Sequence, residues 1–235
     1  MRWWLFPAIV VFASCNREQT ASPDFATKRH RMVQEQLVAR GIRHQRILSV
    51  MAKVAREQFV SADFRNSAYD DSALPIGYDQ TISQPYIVAL MTEQLEPKPN
   101  DRILEIGTGS GYQAAILAEL VAEVYTIEVA EPLANNAKAR LQQLGYKNVH
   151  LRVGNGYEGW PEQAPFDGII VTCAPAHVPQ PLIEQLKEGG RMSIPVGPQF
   201  AQQLYLLRKQ NNQMHQTAVL PVRFVPMIGR PPENK

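Results

Sequence analysis

The sequence predicts an α/β protein whose doubly wound, mostly parallel, seven-stranded sheet has helices on both faces and an antiparallel edge. From residue 101 onward, short apolar runs alternate with helical patterns, and this alternation favours a parallel sheet that is covered on both faces. A glycine-rich turn joins the first of these runs to the first helix. From residue 191 the apolar runs have no helices between them, so we expect antiparallel pairing there.

The part of the chain before residue 101 is predicted to be helical. Three segments have apolar residues at helical spacing, and these are residues 26–42, 43–60 and 83–95. Gly41 is expected to end the first helix. Ser83 is expected to be the N-cap of the third helix, with Pro85 in its first turn. The segment 61–80 is rich in Ser, Asp and Asn, so we interpret it as a loop.

The remaining elements follow the alternation of periodicities. The predicted strands are 101–107, 123–129, 148–155, 166–174, 191–197, 202–209 and 218–229, and the predicted helices are 112–121, 132–145 and 179–190. Gly145 and the pair Gly189-Gly190 are expected to end two of these helices. No boundary divides residues 26–230, so we expect a single domain. Within it, residues 26–100 form a helical, substrate-side part and residues 101–230 form the cofactor-binding sheet.

Composition and charge exclude several classes of protein. The chain has 235 residues, with 24 basic and 22 acidic side chains and a net charge of +2. This balance lacks the basic footprint of a nucleic-acid-binding protein, so we expect no nucleic-acid partner. The two cysteines, Cys15 and Cys173, have no metal-ligand spacing, and we expect no metal site. We interpret Cys173 as a buried structural cysteine.

The first residues have the pattern of a targeting segment. Arg2 precedes the apolar residues 3–13, and Ala13-Ser14-Cys15 provides small residues at a cleavage position. The apolar run is too short to span a bilayer, which needs about 20 residues. We interpret residues 1–15 as a signal segment that resembles a bacterial lipobox with a lipid anchor at Cys15, and residues 16–25 as a linker. The alternative is an extension with no targeting role.

The glycine turn is the strongest local signal of a ligand site. Gly107, Gly109 and Gly111 follow the first predicted strand, and glycines allow a tight turn and a close approach of the backbone to a ligand. A dinucleotide-binding turn has G-x-G-x-x-G, but Tyr112 occupies the sixth position here. No Gly-Lys-Ser/Thr follows, which excludes a P-loop. The alternative is a tight strand-to-helix turn that binds nothing.

Two acids accompany the glycine turn. Glu105 lies two residues before the first glycine, and Glu128 closes the second strand, where an acid can accept hydrogen bonds from ribose hydroxyls. The pattern E-x-G-x-G-x-G resembles motif I of the class I methyltransferases, which implies S-adenosylmethionine as cofactor. In that case Glu105 would help to hold the methionine ammonium group. The resemblance implies that the cofactor-binding residues are Glu105, Gly107, Thr108, Gly109, Gly111, Glu128, Asn155 and Gly156.

The segment before the glycine turn points to one methyltransferase family. The stretches "AYDD" (68–71), "ALPIG" (73–77) and "QTISQP" (80–85) occur in that order, and "GGRMSIPVG" and "VRFVPMIG" follow later in the chain. These stretches closely resemble the protein-L-isoaspartate O-methyltransferases over residues 26–230. The resemblance implies methyl transfer to the α-carboxylate of L-isoaspartyl residues in damaged proteins and peptides. The ester then closes to a succinimide, which initiates repair to L-aspartate.

The same resemblance implies the residues on the substrate side. Ser83 would orient the substrate carboxylate as the catalytic residue. A carboxylate is ionised at neutral pH, so the reaction needs no general base and depends mainly on alignment. The residues implied for substrate binding are Ala73, Leu74, Pro75, Ile76, Gly77, Ser83, Val222 and Phe224. Asn155 departs from the family, which usually has Asp at this position, although the Asn amide oxygen can still accept a hydrogen bond from adenine.

Two other functions stay open at this point. One is methylation of another carboxylate substrate, and the other is a non-catalytic, cofactor-binding envelope protein. We expect the enzyme to work as a monomer in the cytoplasm, because S-adenosylmethionine is made there and the family resides there. The alternative is an exported, periplasmic protein that is lipid-anchored at Cys15.

Overall fold

The computed structural model describes residues 24–229. The predicted signal segment and most of the linker therefore lie outside the described residues. The helices are α1 (Phe25–Met32), α2 (Gln45–Lys53), α3 (Pro85–Leu95), α4 (Tyr112–Ala118), α5 (Glu131–Gln143) and α6 (Gln180–Gln185). The strands are β1 (Leu74–Gly77), β2 (Gln80–Ile82), β3 (Arg102–Ile106), β4 (Glu123–Glu128), β5 (Val149–Val153), β6 (Phe166–Val171), β7 (Leu186–Val196), β8 (Gln202–Gln210) and β9 (Gln213–Val222).

The main sheet confirms the predicted fold class. Its seven strands lie in the order β5-β4-β3-β6-β7-β8-β9. The first five of these strands are parallel, and β8 pairs in antiparallel fashion with both β7 and β9. The chain order reverses on either side of β3, because β4 lies on one side of it and β6 on the other. Such a reversal opens a crevice at the carboxyl ends of the strands.

Alternate side chains of the sheet pack into two apolar clusters. On β3, Ile103 faces a cluster that contains residues of α2, α3 and α4, whereas Leu104 and Ile106 face a cluster that contains Leu182 of α6. This alternation is the expected consequence of the two-residue period of a strand. Helices therefore cover both faces, and the first cluster also contains α1 residue Met32. Within residues 24–229, no helix is both long enough and apolar enough to cross a membrane.

The first two predicted helices differ from the observed ones in their details. The first predicted helix, residues 26–42, is observed as α1 followed by a π-helical segment, Val33–Val38. Gly41 follows this segment with a φ of +96°. The second ends at Lys53, so the prediction that it reaches residue 60 is wrong. The reason is tertiary. Arg56 is fully buried and donates hydrogen bonds to carbonyl groups of distant segments, which stabilises a separate short 3₁₀ turn there.

The segment 61–80 is more ordered than the loop we predicted. It contains a 3₁₀ turn and a small hairpin, in which β1 pairs with β2 through Leu74 and Ile82. Tyr78 and Asp79 form the two-residue turn, with φ values of 54° and 56°. Turns of this kind usually carry Asn or Gly. The short strands and the unusual turn residues explain why the sequence pattern did not indicate a hairpin.

Ser83 is not the N-cap of the third helix, contrary to our prediction. Pro85 is the first residue of α3, and Gln84 is the N-cap, with a ψ of 138° and no capping bond from its side chain. A proline excludes the helical conformation from the residue before it, so the extended position falls on Gln84. The hydroxyl of Ser83 is therefore not committed to capping the helix.

Two predictions near the C-terminus also need correction. Gly189 and Gly190 do not end a helix, because α6 stops at Gln185 and both glycines lie within β7. The pairing of β7 with β6 shifts its register between Phe166 and Gly168, and this irregularity accommodates the glycines. The last strand, predicted over 218–229, is β9 (Gln213–Val222). It begins earlier, since Asn211 and Asn212 form a tight turn with φ values of 53° and 58°, and it ends earlier, since the backbone of Phe224 bonds to the side chain of Gln202.

Candidate active site

The loops that follow β3, β4 and β6 meet at the carboxyl edge of the sheet and surround an open cavity of about 650 Å³. Ligands of open α/β sheets bind at this edge, in the crevice beyond the carboxyl ends of the strands. We call it the cofactor cavity. Its lining comprises Tyr78, Gln80, Thr81, Ile106, Gly107, Gly109, Ile127, Glu128, Val129, Ala130, Gly156, Thr172, Cys173, Val225, Pro226, Met227 and Ile228.

The glycine turn has the geometry that requires glycine. Gly107, Gly109 and Gly111 have φ values of 97°, 52° and 87°, a region that other residues rarely adopt. A Cβ on Gly107 would lie 2.5 Å from Oγ1 of Thr172. The absence of a side chain here lets the ends of β3 and β6 approach each other, and it leaves backbone along the cavity wall.

Glu128 joins two of the loops and faces the cofactor cavity. Its Oε2 atom accepts a hydrogen bond from the Gly109 amide at 2.8 Å, and its Oε1 atom accepts one from the Ala130 amide at 3.0 Å. Each carboxylate oxygen can accept a second hydrogen bond. The group can therefore hold the glycine turn in place and still accept bonds from a ligand.

Glu105 lies behind the glycine turn and is fully buried, so it is not part of the cavity lining. Its Oε2 atom accepts a bond of 2.5 Å from the Thr126 hydroxyl, which lies 2.6 Å from the hydroxyl of Thr108. Among the described residues, Oε1 has no partner. Burial raises the pKa of Glu105 to about 8, opposed by the Thr126 bond and assisted by the charge of Glu128.

The predicted adenine-side residues lie at the end of β5. Asn155 accepts a bond from the Tyr157 amide at 3.2 Å through Oδ1 and donates one to Glu158 at 2.9 Å through Nδ2. Gly156 lines the cofactor cavity, and a Cβ there would lie 2.5 Å from Cγ2 of Ile106. Asn155 thus shapes the turn that brings Gly156 against the cavity.

A second cavity, which we call the groove, adjoins the cofactor cavity and has an open volume of about 960 Å³. The two share Thr81, Thr172 and Val225 in their linings. Ser83 lines the groove, and it also lines a small pocket of about 310 Å³ whose other walls include Gly107 and Gly109. Ser83 therefore lies where the groove meets the glycine turn.

The other predicted substrate-side residues divide into two groups. Ala73, Val222 and Phe224 line the groove together with Ser83. Leu74 is instead buried in the apolar core, and Pro75, Ile76 and Gly77 are not in the groove lining. The side chain of Ile76 packs on the glycine turn, since its Cδ1 atom lies 3.3 Å from where a Cβ on Gly109 would be.

Ser83 is half-buried and its two polar groups have different surroundings. Its carbonyl oxygen accepts a bond of 2.7 Å from Nη2 of Arg56. Its hydroxyl makes no hydrogen bond within the part of the chain that the structure describes. The backbone is thus held while the hydroxyl stays available to a molecule in the groove.

Sequence reasoning missed several residues of the site. Thr81 and Thr172 touch both cavities, and Arg56 reaches Ser83 from the core. Thr81 lies in the stretch QTISQP but was given no role of its own, and no local pattern singles out Thr172 or Arg56. Cys173 is only half-buried and lines the cofactor cavity, so our interpretation of it as a buried structural residue needs correction. Burial and the nearby charge of Glu128 raise the pKa of the Cys173 thiol to about 12, which keeps it protonated and poorly nucleophilic.

Comparison with known proteins agrees with this geometry. The family model for protein-L-isoaspartate(D-aspartate) O-methyltransferase matches residues 27–231. A protein-L-isoaspartate O-methyltransferase of Opitutus terrae is 56% identical over 206 residues, which cover 87% of this chain and 88% of the relative. One from a Synechococcus species is 52% identical over 215 residues, with 88% of each chain covered.

Solved structures resemble the fold over most of its length. A protein-L-isoaspartate O-methyltransferase superposes with a TM-score of 0.79 at 30% identity, and the match covers 86% of this chain and 66% of that protein. A Plasmodium falciparum protein of the same description, solved in complex with S-adenosyl-L-homocysteine, has a TM-score of 0.75 at 24% identity. That match covers 85% of this chain and 98% of the Plasmodium chain.

The close approach at Gly107 yields a testable prediction about the cofactor cavity. In Gly107→Ala, the new methyl group would collide with Thr172 and displace the loops that form the cavity. We expect the dissociation constant for S-adenosylhomocysteine to rise by more than about tenfold, as measured by isothermal titration calorimetry. Gly145→Ala is the matched control, since Gly145 also has a positive φ (+83°) but nothing lies within 4 Å of the added carbon. Equal affinities in the two variants would contradict the prediction.

The burial of Glu105 predicts how stability depends on pH in the unliganded protein. Its folded pKa of about 8 lies above the ordinary value of 4.5, so the folded state binds this proton more tightly than the unfolded state does. The contribution of Glu105 to the free energy of unfolding is therefore fully present below pH 4.5 and is lost as the pH rises to about 8. Glu105→Gln removes the titration, and urea unfolding should show a smaller loss of stability in that range. Parallel pH profiles for the two proteins would contradict this expectation.

Proposed function

The chain belongs to the protein-L-isoaspartate(D-aspartate) O-methyltransferase family, and from this membership we propose which of its residues perform the reaction. The enzyme transfers a methyl group from S-adenosylmethionine to the α-carboxylate of L-isoaspartyl residues in damaged proteins and peptides. This step initiates repair to L-aspartate through a succinimide. The observation that supports our assignment is the position of Ser83, between the groove and the glycine turn.

The residues of the cofactor cavity fit S-adenosylmethionine, which supplies the methyl group on a positively charged sulfur. We propose that Glu128 accepts hydrogen bonds from the ribose hydroxyls, since both of its oxygens face loops of the cavity and keep accepting capacity. The backbone of Gly107 and Gly109 would lie along the methionine part. Asn155 and Gly156 would hold the adenine end. Glu105, whose buried Oε1 atom has no hydrogen-bond partner within residues 24–229, would act from behind the loop through Thr126 and Thr108.

Ser83 is proposed to orient the substrate carboxylate. The nucleophile is an ionised carboxylate and needs no base to activate it. The remaining requirement is alignment of the carboxylate oxygen with the methyl group and sulfur, and alignment alone can supply a large part of a rate enhancement. The Ser83 hydroxyl can donate one hydrogen bond to the carboxylate, since it is not used as a helix cap.

The groove would bind the peptide that carries the isoaspartate. One wall is the segment after β9, where the side chain of Gln202 donates to the Phe224 carbonyl at 3.1 Å and accepts from its amide at 2.6 Å. The other wall carries an ion pair between Arg40 and Asp71 at 3.0 Å, and Arg40 lies 3.6 Å above the ring of Tyr86. Both walls are thus held by side-chain bonds before the peptide arrives.

Three further properties are part of the proposal. We infer that the enzyme works in the cytoplasm, where S-adenosylmethionine is made, and that it is a monomer. We also infer one domain over residues 26–230. A cluster of buried side chains that joins Met32 of α1 to Val124 of β4 and Ile170 of β6 supports that domain assignment.

Ser83→Ala tests the catalytic assignment directly. We expect kcat/KM for an isoaspartyl peptide to fall by about tenfold to a hundredfold, the range for loss of one hydrogen bond to a charged reacting group. The assay measures labelled methyl transfer to two peptides that differ only in isoaspartate or aspartate. The wild type should methylate the isoaspartyl peptide alone.

Ser61→Ala is the control for this experiment, since Ser61 is exposed and its side chain makes no capping bond. It should keep wild-type activity. Transfer at the wild-type rate by Ser83→Ala would refute the role of Ser83. Cofactor binding without transfer to either peptide would instead favour the non-catalytic alternative.

The charges of the groove predict a preference for neighbouring residues in the substrate. Arg40 is paired with Asp71, whereas Arg223 lines the groove with no acidic partner within residues 24–229. We expect a peptide with Glu beside the isoaspartate to have a KM about twofold to fivefold lower than one with Gln, as for an exposed ion pair. The preference should disappear in Arg223→Gln and at high salt.

Arg208→Gln controls for the loss of one positive charge, because Arg208 is exposed on β8 and does not line the groove. It should keep the preference for Glu. A preference that survives in Arg223→Gln, or that vanishes equally in both variants, would overturn the prediction.

A further inference from the structure

Arg56 is a fully buried cation directly behind the catalytic serine. Its Nε atom donates to the Ala68 carbonyl at 2.7 Å, and its Nη2 atom donates to the Ser83 carbonyl at 2.7 Å. Its Nη1 atom is buried, and among the described residues it has no hydrogen-bond partner, nor does any carboxylate there form an ion pair with the guanidinium. A buried charge without an ionic partner is costly, so its position calls for a functional explanation.

The surroundings of Arg56 connect the two halves of the site. Its guanidinium carbon lies 4.8 Å from the centre of the Tyr112 ring, and Tyr112 is the first residue of α4, directly after the glycine turn. Arg56 therefore contacts both the backbone of Ser83 and the helix that the glycine turn begins. Burial lowers the pKa of Arg56 to about 10, which leaves it charged at neutral pH.

We propose that Arg56 is a positioning residue for Ser83, and that its buried charge makes the site select an ionised carboxylate over a neutral group. The inference rests on the proposed role of Ser83. Positioning follows from the two hydrogen bonds of Arg56, which link the backbone of Ser83 to the backbone of Ala68. Selection follows from electrostatics, because a fixed charge in a buried, weakly polarisable environment acts more strongly on a nearby anion than an exposed one does.

The chemistry of the step decides where the charge acts. The carboxylate oxygen forms a bond to the methyl carbon while the bond from carbon to sulfur breaks, and the electron pair of that bond goes to sulfur. The anionic carboxylate becomes a neutral ester and the sulfonium becomes a neutral thioether. A fixed cation thus favours the bound substrate over both the transition state and the product. Its charge should lower KM for the carboxylate substrate without strengthening the binding of the neutral ester, and it should not raise kcat.

Two substitutions separate positioning from charge. Arg56→Lys keeps the positive charge, but a single ammonium group cannot reproduce the planar fork that reaches two carbonyls. Arg56→Gln keeps a hydrogen-bond donor and removes the charge. The matched controls are Arg46→Lys and Arg46→Gln, since the Arg46 guanidinium also joins two backbone carbonyls, those of Pro97 and Leu120, away from the site.

The experiment compares two peptides that differ only in the α-group of the isoaspartyl residue, a carboxylate or a carboxamide. Their dissociation constants are measured with S-adenosylhomocysteine bound, so that no transfer occurs. In Arg56→Gln, we expect the preference for the carboxylate to fall by about tenfold. In Arg56→Lys, the preference should persist while kcat falls by about tenfold. The Arg46 variants should change neither quantity.

A purely structural role of Arg56 predicts different results. It would weaken the binding of both peptides together in Arg56→Gln and leave their ratio unchanged, and this outcome would overturn the inference. Should Arg56→Gln fail to fold, Arg56→Lys still decides, because wild-type kcat there would refute positioning. A wild type that binds the carboxamide as tightly as the carboxylate would refute selection by charge. Failure of the Ser83 assignment is visible separately, as undiminished transfer by Ser83→Ala.

Discussion

Thr172 packs so closely on Gly107 that no side chain fits between them, and the rest of the site depends on this approach. The Thr172 hydroxyl lies 3.0 Å from the Ile106 carbonyl and 2.6 Å from the Gly107 carbonyl, so it binds the end of β6 to the end of β3. On the other side, Glu128 binds the end of β4 to the glycine turn. These contacts hold the ends of β3, β4 and β6 around the cofactor cavity. Thr172 also lines the groove.

Glu105 and Arg56 are both fully buried ionisable groups near the glycine turn, and they differ in a way that would suit the two reactants. Burial keeps Glu105 largely protonated at neutral pH in the unliganded protein, whereas Arg56 stays cationic. A cationic cofactor can shift Glu105 towards its charged form when it binds nearby, because an opposite charge lowers the pKa of a carboxyl group. Arg56 offers a permanent positive charge on the side where an anion must bind. On the proposed assignment, Glu105 would be an adjustable acid behind the cofactor and Arg56 a fixed cation behind the substrate.

The parts of this arrangement that sequence could predict are those encoded locally. The strand, glycine turn and helix around Gly107 follow from neighbouring residues, and so does the acid at the end of β4. The presence of a serine two residues before Pro85 did not identify the N-cap of α3. Pro85 is the first residue of the helix, so the N-cap is Gln84 rather than Ser83. Arg56 looked like a residue on an amphipathic helix, since its true partners are 12 and 27 residues further along the chain. Thr172 gave no signal, as its role appears only when β3 and β6 lie side by side.

The two cavities are built from different parts of the chain, and this separation has a consequence for specificity. The cofactor cavity takes most of its walls from the ends of β3, β4 and β6. The mutual distances of these strand ends are fixed by the close approach of Thr172 to Gly107 and by the hydrogen bonds of Glu128 and Thr172. The groove takes most of its walls from residues 71–87 and from residues 220–225, at the end of β9 and just after it. These walls are held by side-chain bonds such as those of Gln202 and Asp71. Side chains there can change without disturbing the glycine turn. Among residues 24–229, Thr81, Thr172 and Val225 line both cavities, and Ser83 lines the groove and the small pocket beside the glycine turn. On the proposed assignment these residues would constrain the chemistry, whereas residues such as Arg223 would set which damaged sites are bound.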